Sequence, residues 1–259
     1  MNYQQTIYDT SNKLPVIHNN IKNSNAVILL SGMGGDMLSP DYQHLIMSFC
    51  TKNNIFCISP KLQSYPDFGL YTLDDDISDI KKLIEFFELK NIFLIGHSTG
   101  CQISIYLLNN SNIKIHTIIL QGPVSDRECT EKYNNNLKNE IAIAQKTTGI
   151  LPFLYEGVEI KSERFLDLVL PNGKDDLFSS DLPDIFFYNL NKKNTKIVII
   201  NSIYDEFTVN DNKYKLKLIN NNIIYDIESN HSCESNDGNT KLLDIVSKYL
   251  KDFKNSYLQ

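Results

Sequence analysis

Short runs of apolar residues alternate along this chain with stretches in which apolar residues recur every three or four positions. The runs are rich in β-branched and aromatic residues and predict buried strands at 26–31, 55–59, 92–96, 117–120, 196–200 and 223–227. The periodic stretches predict helices at about 40–51, 72–89, 99–109, 208–219 and 240–253. Because strands and helices alternate, the pattern predicts an α/β fold with a mostly parallel, doubly wound sheet.

Two parts of the chain depart from this alternation. Residues 3–8 and 13–18 flank a turn at Ser11-Asn12 and predict an antiparallel hairpin at the sheet edge. Between 121 and 195 the pattern is helical, broken by prolines and glycines, and contains no strong buried strand. We therefore expect a single domain over residues 1–259, with a mainly helical, cap-like insertion at 121–195.

The sharpest local signal is Gly-His-Ser-Thr-Gly at 96–100, which follows a predicted strand and precedes a predicted helix. This is the G-x-S-x-G nucleophile elbow of the α/β-hydrolase fold, in the strand–turn–helix context that the motif requires. The central serine of such a turn has a strained backbone, and its glycine neighbours avoid clashes by lacking a Cβ. The sequence therefore predicts Ser98 as a nucleophile.

A serine nucleophile needs a base and a group that orients this base, and on this fold the chain order is serine, acid, histidine. His231 is the histidine that follows a late strand, so we predict it as the general base. The remaining histidines lie on early elements, in the elbow itself, or at the start of the strand near residue 117; they are His18, His44, His97 and His116.

The acid is predicted from the loop after the strand at 196–200. Asp205 lies in that loop, 26 residues before His231, which leaves room for one helix and one strand. Glu206 and Asp211 are nearby alternatives, and Asp126, after the preceding strand, is a more distant one. A carboxylate at 205 could also serve only as a helix N-cap.

Two backbone N–H groups are expected to form an oxyanion hole. Thr99 directly follows the nucleophile and is the first candidate. Met33 is the second, because it lies in the loop 31–36, whose glycines allow close backbone approach to a ligand. The same glycines could instead serve only the geometry of the turn.

Composition excludes several classes of partner. The net charge is −6 and no basic stripe is visible, so we expect neither nucleic acid nor an anionic membrane as partner. Neither a signal peptide nor a transmembrane segment is predicted. The five cysteines are scattered and lack metal-binding spacing, so we expect a reduced, cytoplasmic protein. From the assigned serine, acid and histidine we expect the protein to act on a small-molecule ester without metal or cofactor.

With these residues assigned, the chain resembles the α/β-hydrolase superfamily over nearly its whole length. Within it, the chain is most similar to the fungal-type siderophore (fusarinine) esterases, a family first catalogued as a domain of unknown function. Three segments carry this second resemblance, at 96–102, 120–128 and 205–207. The resemblance implies hydrolysis of the esters that join hydroxamate units in fusarinine-type siderophores.

The only two arginines, Arg127 and Arg164, both lie in the predicted insertion. An arginine can bind an anionic substrate through two hydrogen bonds, so we predict Arg127, close to the sheet edge, as a substrate-binding residue. An ion pair with a neighbouring carboxylate is the alternative for either arginine. The sequence as a whole predicts a serine esterase; a thioesterase, an acyl-peptide hydrolase and a non-catalytic binding protein of the same fold stay open.

Overall fold

The sheet predicted from the apolar runs is present in the structure, a computed structural model that describes residues 3–190, 194–219 and 223–257. Its strands are β1 Gln4–Asp9, β2 Leu14–His18, β3 Asn25–Leu30, β4 Phe56–Pro60, β5 Asn91–His97, β6 Ile115–Gln121, β9 Lys196–Ser202 and β10 Ile223–Ile227. Within the described residues the strand order is β1-β2-β4-β3-β5-β6-β9-β10. β1 and β2 form the predicted antiparallel edge hairpin, and β2 also pairs antiparallel with β4. The remaining pairings, through β4, β3, β5, β6, β9 and β10, are all parallel.

Helices cover both faces of this sheet. They are α1 Tyr42–Lys52, α2 Leu73–Phe86, α3 Thr99–Asn110, α4 Asp126–Tyr133, α5 Leu137–Ala144, α6 Ser162–Val169, α7 Asp184–Leu190, α8 Lys213–Lys217 and α9 Asn236–Asn255. The start of α2 shows how sequence sets a boundary. The Asp75 carboxylate accepts a hydrogen bond of 2.8 Å from the backbone N–H of Thr72, which closes a capping box.

The strand residues divide between two hydrophobic cores because successive side chains point to opposite faces. Ile28 packs on one face with α2 and α3, while its neighbours Val27 and Leu29 pack on the other with α1 and α9. All three side chains are fully buried. Burial on both faces is the reason that these strands read as continuous apolar runs.

The segment between β6 and β9 contains α4 to α7 and also a hairpin that we did not predict, β7 Ile150–Tyr155 paired with β8 Val158–Lys161. Its strands are short and half-exposed, so they lack the continuous apolar run of the sheet strands. The hairpin packs with α5 and α6 in a separate apolar cluster. Residues 191–193 of the predicted insertion lie outside the described residues.

Three helix boundaries also differ from the prediction. α1 begins at Tyr42 rather than at Pro40, whose carbonyl instead accepts a hydrogen bond of 2.9 Å from the Gln43 N–H in a preceding turn. α8 is shorter than predicted, and α9 begins earlier, where the Ser235 side chain caps it by accepting from the Gly238 N–H. Nowhere in residues 3–190, 194–219 and 223–257 does a helix have the length and apolar character that crossing a bilayer requires.

Candidate active site

Ser98 lies at the sharp turn between β5 and α3. Its φ and ψ are 52° and −120°, a conformation that L residues rarely adopt. Its N–H donates to the carbonyl of Gln121 at 3.0 Å, and its carbonyl accepts from Cys101 at 2.7 Å, so the strained turn is held on both sides. This backbone geometry is the one that a nucleophile elbow requires.

Glycines let the backbone approach the elbow closely. A Cβ at Gly100 would lie 2.6 Å from the carbonyl oxygen of Leu30, and one at Gly96 would overlap the backbone of Gly100. On the other side, a Cβ at Gly32 would lie 2.9 Å from the Cβ of Ser98. The loop after β3 therefore lies against the serine, as the oxyanion hypothesis requires.

Asp205 and His231 are hydrogen-bonded to each other. His231 Nδ1 lies 2.7 Å from Asp205 Oδ2, and the two side chains are only 6% and 2% exposed. Both residues lie on loops at the carboxyl ends of parallel strands, after β9 and β10 respectively. The other carboxylate oxygen of Asp205 accepts from the N–H of Phe207 at 3.0 Å, which fixes the carboxylate plane. Because Asp205 contacts His231 through Nδ1, the Nε2 atom of the imidazole is the one left for a substrate.

Two further contacts hold His231 that the sequence did not predict. The Glu206 carboxylate accepts a hydrogen bond of 2.9 Å from the backbone N–H of His231, so this rival for the acid contacts the histidine backbone and not its ring. The Phe207 ring packs edge-on against the imidazole at 4.8 Å between centroids. Gly122, at φ +62°, approaches the same ring so closely that a Cβ would lie 3.0 Å from Nδ1.

Beneath this pair lies a buried polar network centred on Gln121. Its amide oxygen accepts from Tyr42 Oη at 2.8 Å and lies 2.5 Å from His97 Nδ1, while its amide nitrogen donates to the His231 carbonyl at 2.8 Å. Burial and the neighbouring His231 lower the pKa of His97 to about 3. His97 is therefore neutral at physiological pH and adds no positive charge beside His231.

The remaining carboxylates have other partners. Asp126 accepts a hydrogen bond of 2.9 Å from Gln102 Nε2, and the exposed Asp211 accepts one of 2.8 Å from the N–H of Lys213. Burial raises the pKa of Asp126 to about 7, with the nearby Asp175 as the next cause. Asp205 is thus the carboxylate that contacts the imidazole of His231 in the described residues.

The two predicted oxyanion donors belong to the helix that follows Ser98 and to the loop that approaches it. Thr99 is the first residue of α3, where backbone N–H groups have no acceptor within the helix. Met33 lies in the loop that approaches Ser98 through Gly32 and lines the pocket over the serine. Both positions are compatible with a backbone donor to a developing oxyanion.

The pocket over Ser98 has a volume of about 570 Å³. Ser98, His97 and His231 line its floor, and the loop 32–35 lines one side. Residues of α4 and of the unpredicted hairpin also line the pocket, together with the short turn near Phe68. The segment between β6 and β9 therefore supplies part of the pocket lining over Ser98, and some of that lining comes from a β-hairpin.

Arg127 does not line this pocket, which corrects our prediction of a substrate contact. Its buried guanidinium forms ion pairs with Asp176, at 3.2 Å, and with Asp181 and Glu131. Arg164 is paired in the same way with the buried Asp175 and donates to the Phe68 carbonyl at 3.2 Å. A buried guanidinium group needs an anionic partner. Each arginine finds one at residues 175–181 and thereby links this stretch to its own helix, α4 or α6.

Replacing Arg164 with methionine should lower the free energy of unfolding by about 3–5 kcal/mol, because the variant leaves Asp175 buried without its partner. Urea denaturation of the purified variant measures this loss. The double variant R164M/D175L should recover most of it, because no uncompensated charge stays buried. An unchanged unfolding midpoint in R164M would show that the pair contributes nothing to stability.

The fold and these residues define the class of protein: the chain has the α/β-hydrolase fold, with a G-x-S-x-G elbow and an Asp–His pair beside it. The chain belongs to the family described as "Protein of unknown function (DUF1749)", whose model matches residues 6–235. In the described residues no group of histidine, cysteine or carboxylate side chains is arranged to hold a metal ion.

Two curated proteins are similar in sequence to this chain, and one of them is named for an activity. The chain is 28% identical over 228 residues to the UPF0613 protein PB24D3.06c of Schizosaccharomyces pombe, covering 75% of this chain and 72% of that protein. It is 25% identical over 224 residues to the fusarinine C esterase sidJ of Aspergillus fumigatus, with 61% of this chain and 62% of that protein aligned. The match thus spans less than two thirds of the esterase's own length.

Solved structures share the fold over almost the entire chain. The siderophore hydrolase EstB from Aspergillus fumigatus superposes with a TM-score of 0.79 at 18% identity and covers 98% of both chains. The alpha/beta hydrolase domain-containing protein 10 from mouse superposes with a TM-score of 0.70 at 11% identity, covering 97% of this chain and 99% of that one. At such identities the likeness establishes the fold.

Proposed function

We propose that this protein is a serine hydrolase that cleaves carboxylic esters through an acyl-enzyme. Ser98 is the nucleophile, His231 is the general base and acid, and Asp205 orients His231. The observation that carries the proposal is that His231, hydrogen-bonded to Asp205 at 2.7 Å, lines the same pocket as Ser98 on its strained elbow. The named esterases and hydrolases among the relatives support the reaction class.

The chemistry follows from the positions of these groups. Ser98 Oγ attacks the ester carbonyl while His231 Nε2 takes its proton, and Asp205 stabilises the imidazolium that forms. The N–H groups of Met33 and Thr99 stabilise the tetrahedral oxyanion. His231 then gives the proton to the leaving alcohol, and a water molecule activated in the same way hydrolyses the acyl-enzyme.

For the substrate we propose a siderophore-type ester, because one relative is named for fusarinine C and one structural neighbour is a siderophore hydrolase. A thioester or an acyl-peptide would enter the same chemistry, since the fold does not separate these reactions. A binding protein without catalysis is the rival class. The strained conformation of Ser98 argues against it, because a ligand site has no need for that strain.

A fluorophosphonate probe tests the proposal directly, because it reacts covalently only with an activated serine. The purified protein should be labelled, and peptide mapping should find the label on Ser98. The H231A variant should lose the labelling, and an exposed-site variant such as D211N should keep it. A wild-type protein that stays unlabelled would favour the binding-protein alternative.

We also propose that the protein works in the cytoplasm. All five cysteines are free thiols, and Cys50, Cys57, Cys101 and Cys233 are buried. Free thiols are typical of proteins from reducing compartments.

A further inference from the structure

The pocket over Ser98 is acidic. Two carboxyl groups, Asp126 and Glu156, are among its lining residues, and in the described residues neither a lysine nor an arginine lines it. The two arginines of the chain are occupied elsewhere, because each is bound by carboxylates within the insertion. An anionic substrate would therefore meet like charge in this pocket, with no lysine or arginine among its described lining residues to offset that charge.

The two carboxyl groups belong to different elements of the segment between β6 and β9. Asp126 is the partly buried first residue of α4, and one of its oxygens accepts from Gln102 Nε2 at 2.9 Å. Glu156 is exposed at the turn of the β7–β8 hairpin, with a φ of 49°. The two groups repel each other electrostatically. A cation between them would relieve this repulsion.

Aromatic rings line the same space. Phe68 and Tyr155 pack edge to face with their centroids 6.4 Å apart, and Phe207 covers the imidazole of His231; all three rings line the pocket. Aromatic faces attract cations through the ring quadrupole, most effectively quaternary ammonium groups. Carboxylates combined with aromatic rings, and without a basic side chain, are the chemistry that recognises an ammonium ion.

We propose that this pocket selects esters that carry an ammonium group, which Asp126, Glu156 and the neighbouring aromatic rings bind while the ester carbonyl lies at Ser98. This inference rests on the proposed function and specifies its substrate class. It reverses the sequence-based prediction of an anionic ester, because that prediction depended on Arg127 facing the substrate.

The test compares two esters of the same shape. They are p-nitrophenyl 6-(trimethylammonio)hexanoate and p-nitrophenyl 7,7-dimethyloctanoate, which differ in that a quaternary nitrogen replaces a quaternary carbon. The wild-type protein should hydrolyse the cationic ester with a kcat/KM about tenfold or more above that of the neutral ester, through a lower KM. Equal kcat/KM values, or a preference for the neutral ester, would overturn the inference.

Variants test which residues cause the preference for the cationic ester. In E156Q and in D126N the ratio of the two kcat/KM values should fall severalfold, because each variant removes one negative charge that faces the ammonium group. E156Q changes an exposed turn and leaves the core intact, so the test does not depend on D126N folding. The control is D237N, which removes an exposed carboxylate paired with Lys241 on α9, and it should keep the wild-type ratio.

The ratio should also depend on pH. Asp126 accepts a hydrogen bond from Gln102 and interacts electrostatically with Asp175, Arg164, His231 and Glu156, and burial raises its pKa to about 7. Its carboxyl group is therefore neutral at pH 6 and ionised at pH 8, so the preference for the cationic ester should increase over this interval. The pH dependence of the shared catalytic steps cancels in the ratio. In D126N the preference should no longer increase with pH. If the increase persisted in D126N, Asp126 would be excluded as its cause.

A failure of this inference differs from a failure of the proposed function. A protein that is labelled on Ser98 by the fluorophosphonate but treats both esters alike is a serine hydrolase without the ammonium site. A protein that stays unlabelled is not the proposed hydrolase. In that case, binding of butyltrimethylammonium measured by NMR still tests the site: loss of binding in E156Q supports it, and no binding by the wild type excludes it.

Discussion

Replacing Ser98 with alanine should reduce the turnover of any ester that the protein hydrolyses by roughly 10³–10⁶-fold. The change removes the oxygen that attacks the carbonyl, while the pocket and the remaining polar groups stay. The hydroxyl of Ser98 has no structural role among the hydrogen bonds of the described residues, where its backbone groups make the contacts. The variant should therefore fold normally, and kcat/KM on a p-nitrophenyl ester measures the loss.

His231→Ala should cost a similar factor, and the double variant should cost little more, because residues that act as a unit are strongly non-additive. The control is S247A, which removes a serine hydroxyl on α9 that does not line the pocket. This hydroxyl donates a hydrogen bond of 3.0 Å to the Asp244 carbonyl. The S247A variant should retain wild-type activity. Comparable turnover by S98A and wild type would remove Ser98 from the mechanism.

The sheet and the elbow could be predicted because they depend on local patterns. A strand buried on both faces is a continuous apolar run, as in 26–31 and 92–96, and such runs give the strand positions to within one or two residues. The elbow depends on five consecutive residues. A Cβ at position 96 or 100 would clash with backbone atoms, so both positions require glycine. This requirement is why the motif can be recognised in the sequence.

The hairpin could not be predicted in the same way. Its strands are four to six residues long and half-exposed, and its turn at Glu156-Gly157 needs a positive φ at both positions. Asparagine or aspartate before glycine is the usual signal for such a turn, and glutamate does not give it. The pocket wall that this hairpin supplies was missed with it, including Glu156.

The ion-pair partners of the arginines could not be predicted from the sequence either. Arg127 is paired with Asp176 and Asp181, which follow it by 49 and 54 residues and are brought to it by the folding of the insertion. The insertion contains many carboxylates, and nothing in their spacing distinguishes a partner from a solvated side chain. An ion pair and a substrate contact were thus equally compatible with the sequence, and three-dimensional proximity decides between them.

Replacing Asp205 with asparagine should reduce kcat/KM by about 10⁴-fold, because an amide at this position holds the imidazole in the wrong tautomer. The native carboxylate accepts from His231 Nδ1 at 2.7 Å and thereby leaves Nε2 as the base. Asparagine has nearly the same shape and can still accept from the Phe207 N–H, so the loop should stay in place. Steady-state kinetics on a neutral p-nitrophenyl ester measures the loss, and the unfolding midpoint checks the fold.

The neighbouring carboxylates supply the comparison for this variant. Asp211→Asn changes an exposed group that accepts from the Lys213 N–H at the start of α8, and it should leave kcat/KM near wild type. Glu206→Gln keeps an oxygen that can accept from the His231 N–H at 2.9 Å, so it should cost far less than Asp205→Asn. The competing assignment makes Asp126 the acid. A loss of several thousandfold in D126N on the neutral ester, with D205N close to wild type, would move the acid to the loop after β6, because only the residue that fixes the tautomer of His231 can have an effect of that size.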